Sequence, residues 1–251
     1  MTHKSRFWEL DLIRGIAVVM MVLFHLAFDL NFFGINELDI HSGFWFYLAR
    51  ITASIFILLA GVSLVLIASK FESKNYNQLF MDFFKRGMII FSLGIIITAA
   101  TYLTIGKGFI IFGILHFIGL SIILAYPFLN LKRLNAVMAI IIIALGLYLQ
   151  NLDFDFPWLL WLGLTPSGFY MVDFFPLLPW FGLILIGIYL GDELYGGYKR
   201  RIELCDLSSY SFVRPLTFLG RNSLAVYLIH QPLLILALYL LGIASISIPL
   251  Q

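Results

Sequence analysis

One apolar run near the start of the chain, Ile16 to Phe28, is bracketed and interrupted by three ionisable side chains: Arg14, His25 and Asp29. An imidazole with a carboxylate one helical turn away is the minimal general-base pair, because the acid orients the ring and raises its basicity. Such a base can deprotonate a hydroxyl or an amine so that it attacks an acyl carbon. On an α-helix, residues eleven apart return to nearly the same face, about three turns and roughly 16 Å along the axis. Arg14, His25 and Asp29 therefore make one polar stripe. Ionisable groups are costly among apolar neighbours, so such a stripe is expected to face a bundle interior or an aqueous cavity.

Four further stretches carry polar groups inside apolar sequence. They are Arg50; His116 in Gly113-Ile114-Leu115-His116; Asp173, just ahead of Pro176 and Pro179; and His230-Gln231-Pro232. Counted at about 1.5 Å per residue, these groups reach comparable depths, and one water-accessible cavity opening outward accounts for them together. His25 is then the candidate base and Asp29 its orienting acid, with Arg50, His116, Asp173, His230 and Gln231 lining the substrate cavity. Each has a plainer alternative. Asp29 and Arg50 could be an ion pair joining two helices, and His116 could simply donate to a carbonyl across helices. His230 could cap the carbonyl that Pro232 frees, and Arg14 could be only a topology anchor. His41 lies between Ile40 and Ser42 in a connecting loop, where a surface histidine is the simpler reading.

Several chemistries have no support. There is no Gly-x-Ser-x-Gly elbow, no His-Glu-x-x-His metal spacing and no Gly-rich phosphate loop with lysine, so no metal is expected and nucleotide hydrolysis is not indicated. The single cysteine, Cys205, rules out an intrachain disulfide.

The elements that must position these residues are set by composition. The 251 residues are 61% hydrophobic and only 12% charged, with a mean hydropathy of +0.98, whereas a soluble domain carries about 25% charged residues. This predicts an all-α, polytopic transmembrane bundle forming a single domain over 1–251. A span needs about 20 mostly apolar residues, and seven stretches qualify, near 11–33, 44–68, 86–105, 108–129, 134–150, 174–195 and 222–248. The aromatic segment 157–171 is too short to cross, is broken by Pro166 and Gly168, and reads as interfacial or re-entrant. The connection 191–222 reads as a solvated linker with room for a short surface helix. A cleavable signal peptide is not expected, because the first apolar run is long enough to span and no small-residue cleavage site follows it.

Lys and Arg fix the expected orientation. Lys4, Arg6, Arg14, Lys70, Lys74, Lys85, Arg86, Lys132, Arg133, Lys199, Arg200, Arg201, Arg214 and Arg221 fall on one side, fourteen of the sixteen basic residues. The opposite loops hold Lys107 and the acids Glu37, Asp39, Asp153 and Asp155. The N-terminus is therefore expected in the cytoplasm. Topology accounts for the basic residues, so nucleic-acid binding is not expected.

The stretch Glu9-x-Asp11-x-x-Arg14-Gly15, followed ten residues on by His25, resembles the first helix of integral-membrane acyltransferases of the acyltransferase-3 type. Phe56 to Ser63 (FILLAGVS), Gly113 to Gly119 (GILHFIG), Asp173 to Gly182 (DFFPLLPWFG) and Gly220 to Pro232 (GRNSLAVYLIHQP) are similar to the catalytic-domain family of heparan-α-glucosaminide N-acetyltransferase in its compact prokaryotic form. The resemblance implies an acyl, and specifically an acetyl, group taken from cytoplasmic acetyl-CoA or another acyl-CoA. It would pass to a small-molecule or glycan acceptor, a sugar or glycoconjugate, on the far side of a prokaryotic cytoplasmic membrane. His25 matches the motif's base; the animal enzyme's proposed loop histidine has His41 as its nearest counterpart here. The basic mouth formed by Arg14, Arg86 and Arg221 would hold the CoA phosphates.

Two other classes use the same residues differently. A proton-coupled transporter would relay protons through them, and a membrane scaffold would use them only as interhelical glue. The choice among His25, His41, His116 and His230, the acceptor, the acyl length, and whether the chain forms a homo-oligomer stay open at this stage.

Overall fold

The computed structural model describes residues 6–71 and 75–243. Lys4 and Lys74 of the expected cytoplasmic set, and residues 244–248 of the expected last span, lie outside the described residues. Within them the regular structure is helical throughout: α1 (Trp8–Phe32), α2 (Gly43–Lys70), α3 (Tyr76–Thr104), α4 (Ile114–Leu124), α5 (Leu134–Leu149), α6 (Leu177–Tyr195), α7 (Val213–Arg221) and α8 (Ser223–Leu240), with three short 3-10 turns. Local chemistry sets several ends. Glu9 and Asp11 occupy the first turn of α1, where the helix dipole favours negative charge. Asn75 caps α3 by accepting from the Gln78 N–H at 2.9 Å. Ahead of α2, the Asp39 carboxylate takes the hydroxyl of Ser42 and the N–H groups of His41 and Ser42. Those bonds, the Ser42 hydroxyl foremost, hold the exposed carboxyl below its ordinary range. His41 is thus fixed in an exposed turn.

Helices α1, α2, α3, α6 and α8 are long and apolar enough to cross a bilayer. The expected span 108–129 is shorter, its helix covering only Ile114–Leu124, whereas α5 matches the expected 134–150 to within one residue. Helix α4 has eleven residues, about 16 Å of rise against a hydrocarbon core of about 30 Å. It is cut off by Gly106 and Gly108 at positive φ on one side and by the 3-10 turn Tyr126–Asn130, opened by Pro127, on the other. Helix α5 has sixteen residues. Segment 157–171 does not cross; it forms one 3-10 turn, Leu160–Leu162, and irregular chain. At the start of α6, Leu178 keeps extended dihedrals (φ −95°, ψ 126°) before Pro179, the distortion expected from Pro176 and Pro179. Ile140 (68% exposed) and Ile141 (55%) on α5, and Ile96 (63%) and Leu103 (81%) on α3, present an apolar surface that a bilayer, and not water, would cover.

The described chain falls into two compact units. Among the described residues, the first comprises 6–56 and 204–243, the second 57–71 and 75–203. In the first unit α1 packs against α7 and α8. A Cβ at Gly15 would run into the Leu216 carbonyl, and one at Gly220 into the Asp11 carbonyl, so α1 and α7 touch backbone to backbone, which only small residues permit. The end of the expected linker holds the short surface helix for which it has room: α7 docks Val213, Thr217 and Gly220 on α1 and leaves its other face exposed. In the second unit α3 packs on α4 and α5 on α6. Gly87 and Gly119 bring α3 and α4 equally close, a Cβ on Gly119 falling 2.6 Å from the Phe91 nitrogen.

Candidate active site

The first unit gathers four of the expected site residues. His25 projects from α1 towards His230 on α8, with ring centroids 4.7 Å apart and planes at 72°. The His25 Nδ1 lies 2.9 Å from the carbonyl oxygen of Met21. The His230 Nδ1 lies 2.7 Å from the Tyr227 oxygen and 3.2 Å from that of Val226. A carbonyl only accepts, so Nδ1 carries the hydrogen in both neutral rings and each Nε2 keeps its lone pair. Helical side chains lean towards the N-terminus, which is why both rings find carbonyls three or four residues back.

One turn beyond His25, Asp29 is 2% exposed. Its Oδ1 accepts from the side-chain amide of Gln231 at 2.5 Å. The expectation that Asp29 orients the His25 ring needs correction: the Met21 carbonyl holds the ring, and Asp29 faces α8 instead. Three buried atoms here, Asp29 Oδ2, Gln231 Oε1 and His230 Nε2, take no hydrogen bond from the described residues. All three are acceptors, so the site lacks donors. The carbonyl that Pro232 releases belongs to Leu228, four residues back, yet His230 turns to 226 and 227 instead. Arg50 is exposed on α2, its guanidinium carbon 4.9 Å over the ring of Phe46.

At the other end of α1, Asp11 is 3% exposed and collects three guanidinium groups. Arg221 Nε lies 3.2 Å and Arg6 Nε 3.6 Å from Oδ2, and Arg14 Nη1 lies 3.5 Å from Oδ1. Three arginines thus gather on one carboxylate, with Glu9 in the same helical turn and the Arg6 and Arg221 side chains 63% and 48% exposed. Sequence reasoning gives Arg14 and Arg221 a site role, and has Asp11 only as part of the motif and Arg6 only in the basic set. The signal was present, because Asp11 stands three residues before Arg14 on a helix, where opposite charges meet.

The second unit holds the other candidates. His116 caps its own helix: the Gly113 N–H donates to Nδ1 at 3.3 Å, and Nε2 lies 3.3 Å from the Thr98 hydroxyl. Gly94 makes room for the ring, which Phe91 meets edge-on and Phe112 stacks on. Both ring nitrogens are thus engaged by the protein, in the opposite tautomer to His25 and His230. Asp173 Oδ2 accepts from the Ile114 N–H at 3.1 Å, and its strand of chain is fastened by Val172 N to Gly108 O and Phe175 N to Phe112 O. Burial pushes the Asp173 carboxyl up to about 6, against the lowering effect of the Ile114 N–H. Arg86 is exposed on α3. A polar cleft of about 540 Å³, lined by Lys132, Arg133, Asp192, Glu193 and Arg201 among others, contains none of the expected site residues.

These features define an integral membrane protein of apolar helices with a half-buried and a buried imidazole in contact near a carboxylate. The chain belongs to the family described as heparan-alpha-glucosaminide N-acetyltransferase, catalytic, which it matches over residues 6–232. The family is one of membrane acetyltransferases, for which acetyl-CoA is in general terms the co-substrate. No curated protein and no solved structure matches the chain.

Proposed function

We propose that the protein moves an acyl, specifically acetyl, group from cytoplasmic acyl-CoA to a sugar or glycoconjugate acceptor on the outer side of a prokaryotic cytoplasmic membrane. His25 is the general base. The observation that carries this reading is the His25 ring itself, whose Nδ1–H is committed to the Met21 carbonyl, leaving Nε2 with its lone pair in a largely apolar setting. As the acceptor's oxygen or nitrogen bonds to the acyl carbon, its proton goes to Nε2. The C–S bond breaks, and the departing thiolate takes that proton back. Asp29, one turn away, supplies negative charge that steadies the transient imidazolium. The acceptor-rich lining of Asp29, Gln231 and His230 suits a substrate that brings hydroxyl or amino hydrogens.

The patch of Arg6, Arg14 and Arg221 around Asp11 fits the phosphates of CoA, because guanidinium groups bind them in bidentate fashion. The positive-inside pattern supports a cytoplasmic N-terminus, and so a donor site near Arg14. Calorimetric titration with acetyl-CoA and with free CoA tests the reading. Binding of both, and loss of acetyl-CoA consumption in a folded His25→Ala variant, is the expected result. No binding at millimolar concentration, together with CoA-independent solute movement in liposomes, would replace it with the proton-coupled carrier.

A further inference from the structure

We propose that His230 is the second half of a two-imidazole base, so that His25 and His230 handle the acceptor's proton as one unit. The inference rests on the acyltransferase reading above. Its grounds are geometric. The two rings stand edge to face 4.7 Å apart, on helices at opposite ends of the chain. Each ring has spent its Nδ1–H on a carbonyl of its own helix, so the two Nε2 atoms are chemically equivalent acceptors. A histidine kept only for packing, or for a helix bond, gains nothing from a second ring nitrogen left without a partner. Yet His230 Nε2 is buried and takes no hydrogen bond from the described residues, a condition that native interiors rarely leave standing.

The surroundings favour one proton and disfavour two. From α1 the pair is faced by Phe24, edge-on to His25, and from one turn further along by the Asp29 carboxylate. From α8 it is faced by Tyr227, whose ring centroid is 5.7 Å from that of His230, and by Gln231, already donating to Asp29. A single carboxylate balances one imidazolium; two cations this close in an apolar setting would repel strongly. In the reaction the acceptor's proton leaves its oxygen or nitrogen as the bond to the acyl carbon forms. The two Nε2 lone pairs share that proton. When the C–S bond breaks, the electron pair leaves on sulfur and the thiolate takes the proton, which returns both rings to their starting state.

The test measures acetyl-CoA consumption with glucosamine as probe acceptor in His25→Ala, His230→Ala and the double variant. Residues that act as a unit give non-additive losses. Each single change should lower turnover by about 100-fold, and the double variant should be no worse than the weaker single. Losses that multiply, or near-normal turnover in His230→Ala, would overturn the proposal. His230→Asn separates structure from chemistry, since its amide can still donate to the Tyr227 carbonyl but offers nothing at the Nε2 position. This variant should fold, bind CoA and stay inactive; recovery of turnover would assign His230 to helix structure alone. If the wild-type protein neither binds nor consumes acetyl-CoA, the acyltransferase reading itself falls, a result distinct from multiplicative losses in an active enzyme.

Discussion

The side-chain amide of Gln231 on α8 donates to Oδ1 of Asp29 on α1, at 2.5 Å and across 202 positions of sequence. Both groups are embedded, and Oδ2 of the same carboxylate takes no hydrogen bond from the described residues. Beside the His25–His230 ring contact, this amide is the hydrogen bond that ties α8 to α1 at the candidate site. That amide is the natural place to probe it.

Replacing Gln231 with Met keeps the length and removes the donor. Leaving a buried acceptor unpaired costs about 1–3 kcal/mol, so Gln231→Met should unfold several degrees below wild type in detergent. An unchanged midpoint would show that water, and not Gln231, satisfies Asp29.

The backbone contact between α1 and α7 leaves no space for a methyl group at Gly15 or Gly220. Gly15→Ala and Gly220→Ala should each destabilise the protein by about 1–3 kcal/mol, the usual cost of overpacking. Ile13→Ala, on an exposed face of the same helix (Ile13 is 41% exposed), should have little effect. Equal midpoints for all three would mean that α7 is not docked as described.

Arg221 reaches Asp11 through Nε with nearly half its side chain exposed. If the patch holds the CoA phosphates, Arg221→Ala should raise the KM for acetyl-CoA about tenfold, roughly 1.4 kcal/mol of a charge-assisted contact, with kcat within about twofold. A loss confined to kcat would detach Arg221 from donor binding. Asp11→Asn releases all three arginines at once, so it should affect the same parameter.

Asp173 provides a pH signature outside the membrane-crossing helices. Its carboxyl titrates at about 6 in the folded protein, above the ordinary 3.8. Between those values the folded state binds more protons than the unfolded one, so this group makes stability fall as pH rises through that window. Thermal midpoints at pH 4.5 and pH 7 should differ in that sense for the wild type. The difference should shrink in Asp173→Asn, whose side-chain oxygen can still accept from the Ile114 N–H. An equal slope in both proteins would assign the pH dependence to other groups.

Much of the fold is visible in the sequence because lipid imposes a simple rule, and long apolar runs such as those of α1, α2 and α8 have no other use. The shortening of α4 was harder to see. Its flanks are as apolar as its core, and only Gly106, Gly108 and Pro127 hint that the helix cannot extend. The stripe of Arg14, His25 and Asp29 follows from helical period alone. What each of them touches does not. Period says nothing about whether Asp29 turns to its own helix or to Gln231, because that choice depends on where α8 lies. His116 is ambiguous for a similar reason: a histidine in an apolar run suits a cavity wall or a packing role, and only the structure shows the Gly113 N–H and the Thr98 hydroxyl at its two nitrogens. Asp173 is similar, a lone acid in the sequence but in the structure a cap for the first turn of α4.

The separation between Asp29 and Gln231 also bears on how the protein is made. At roughly 5–20 residues per second of synthesis, α1 reaches the bilayer about 10 to 40 s before α8 leaves the ribosome. During that interval His25 and Asp29 have no α8 to meet, so some temporary host, such as the insertion machinery or a thinned, wetted patch of lipid, must shelter them. The polar groups of α1 thus come to rest only when α8 arrives beside them.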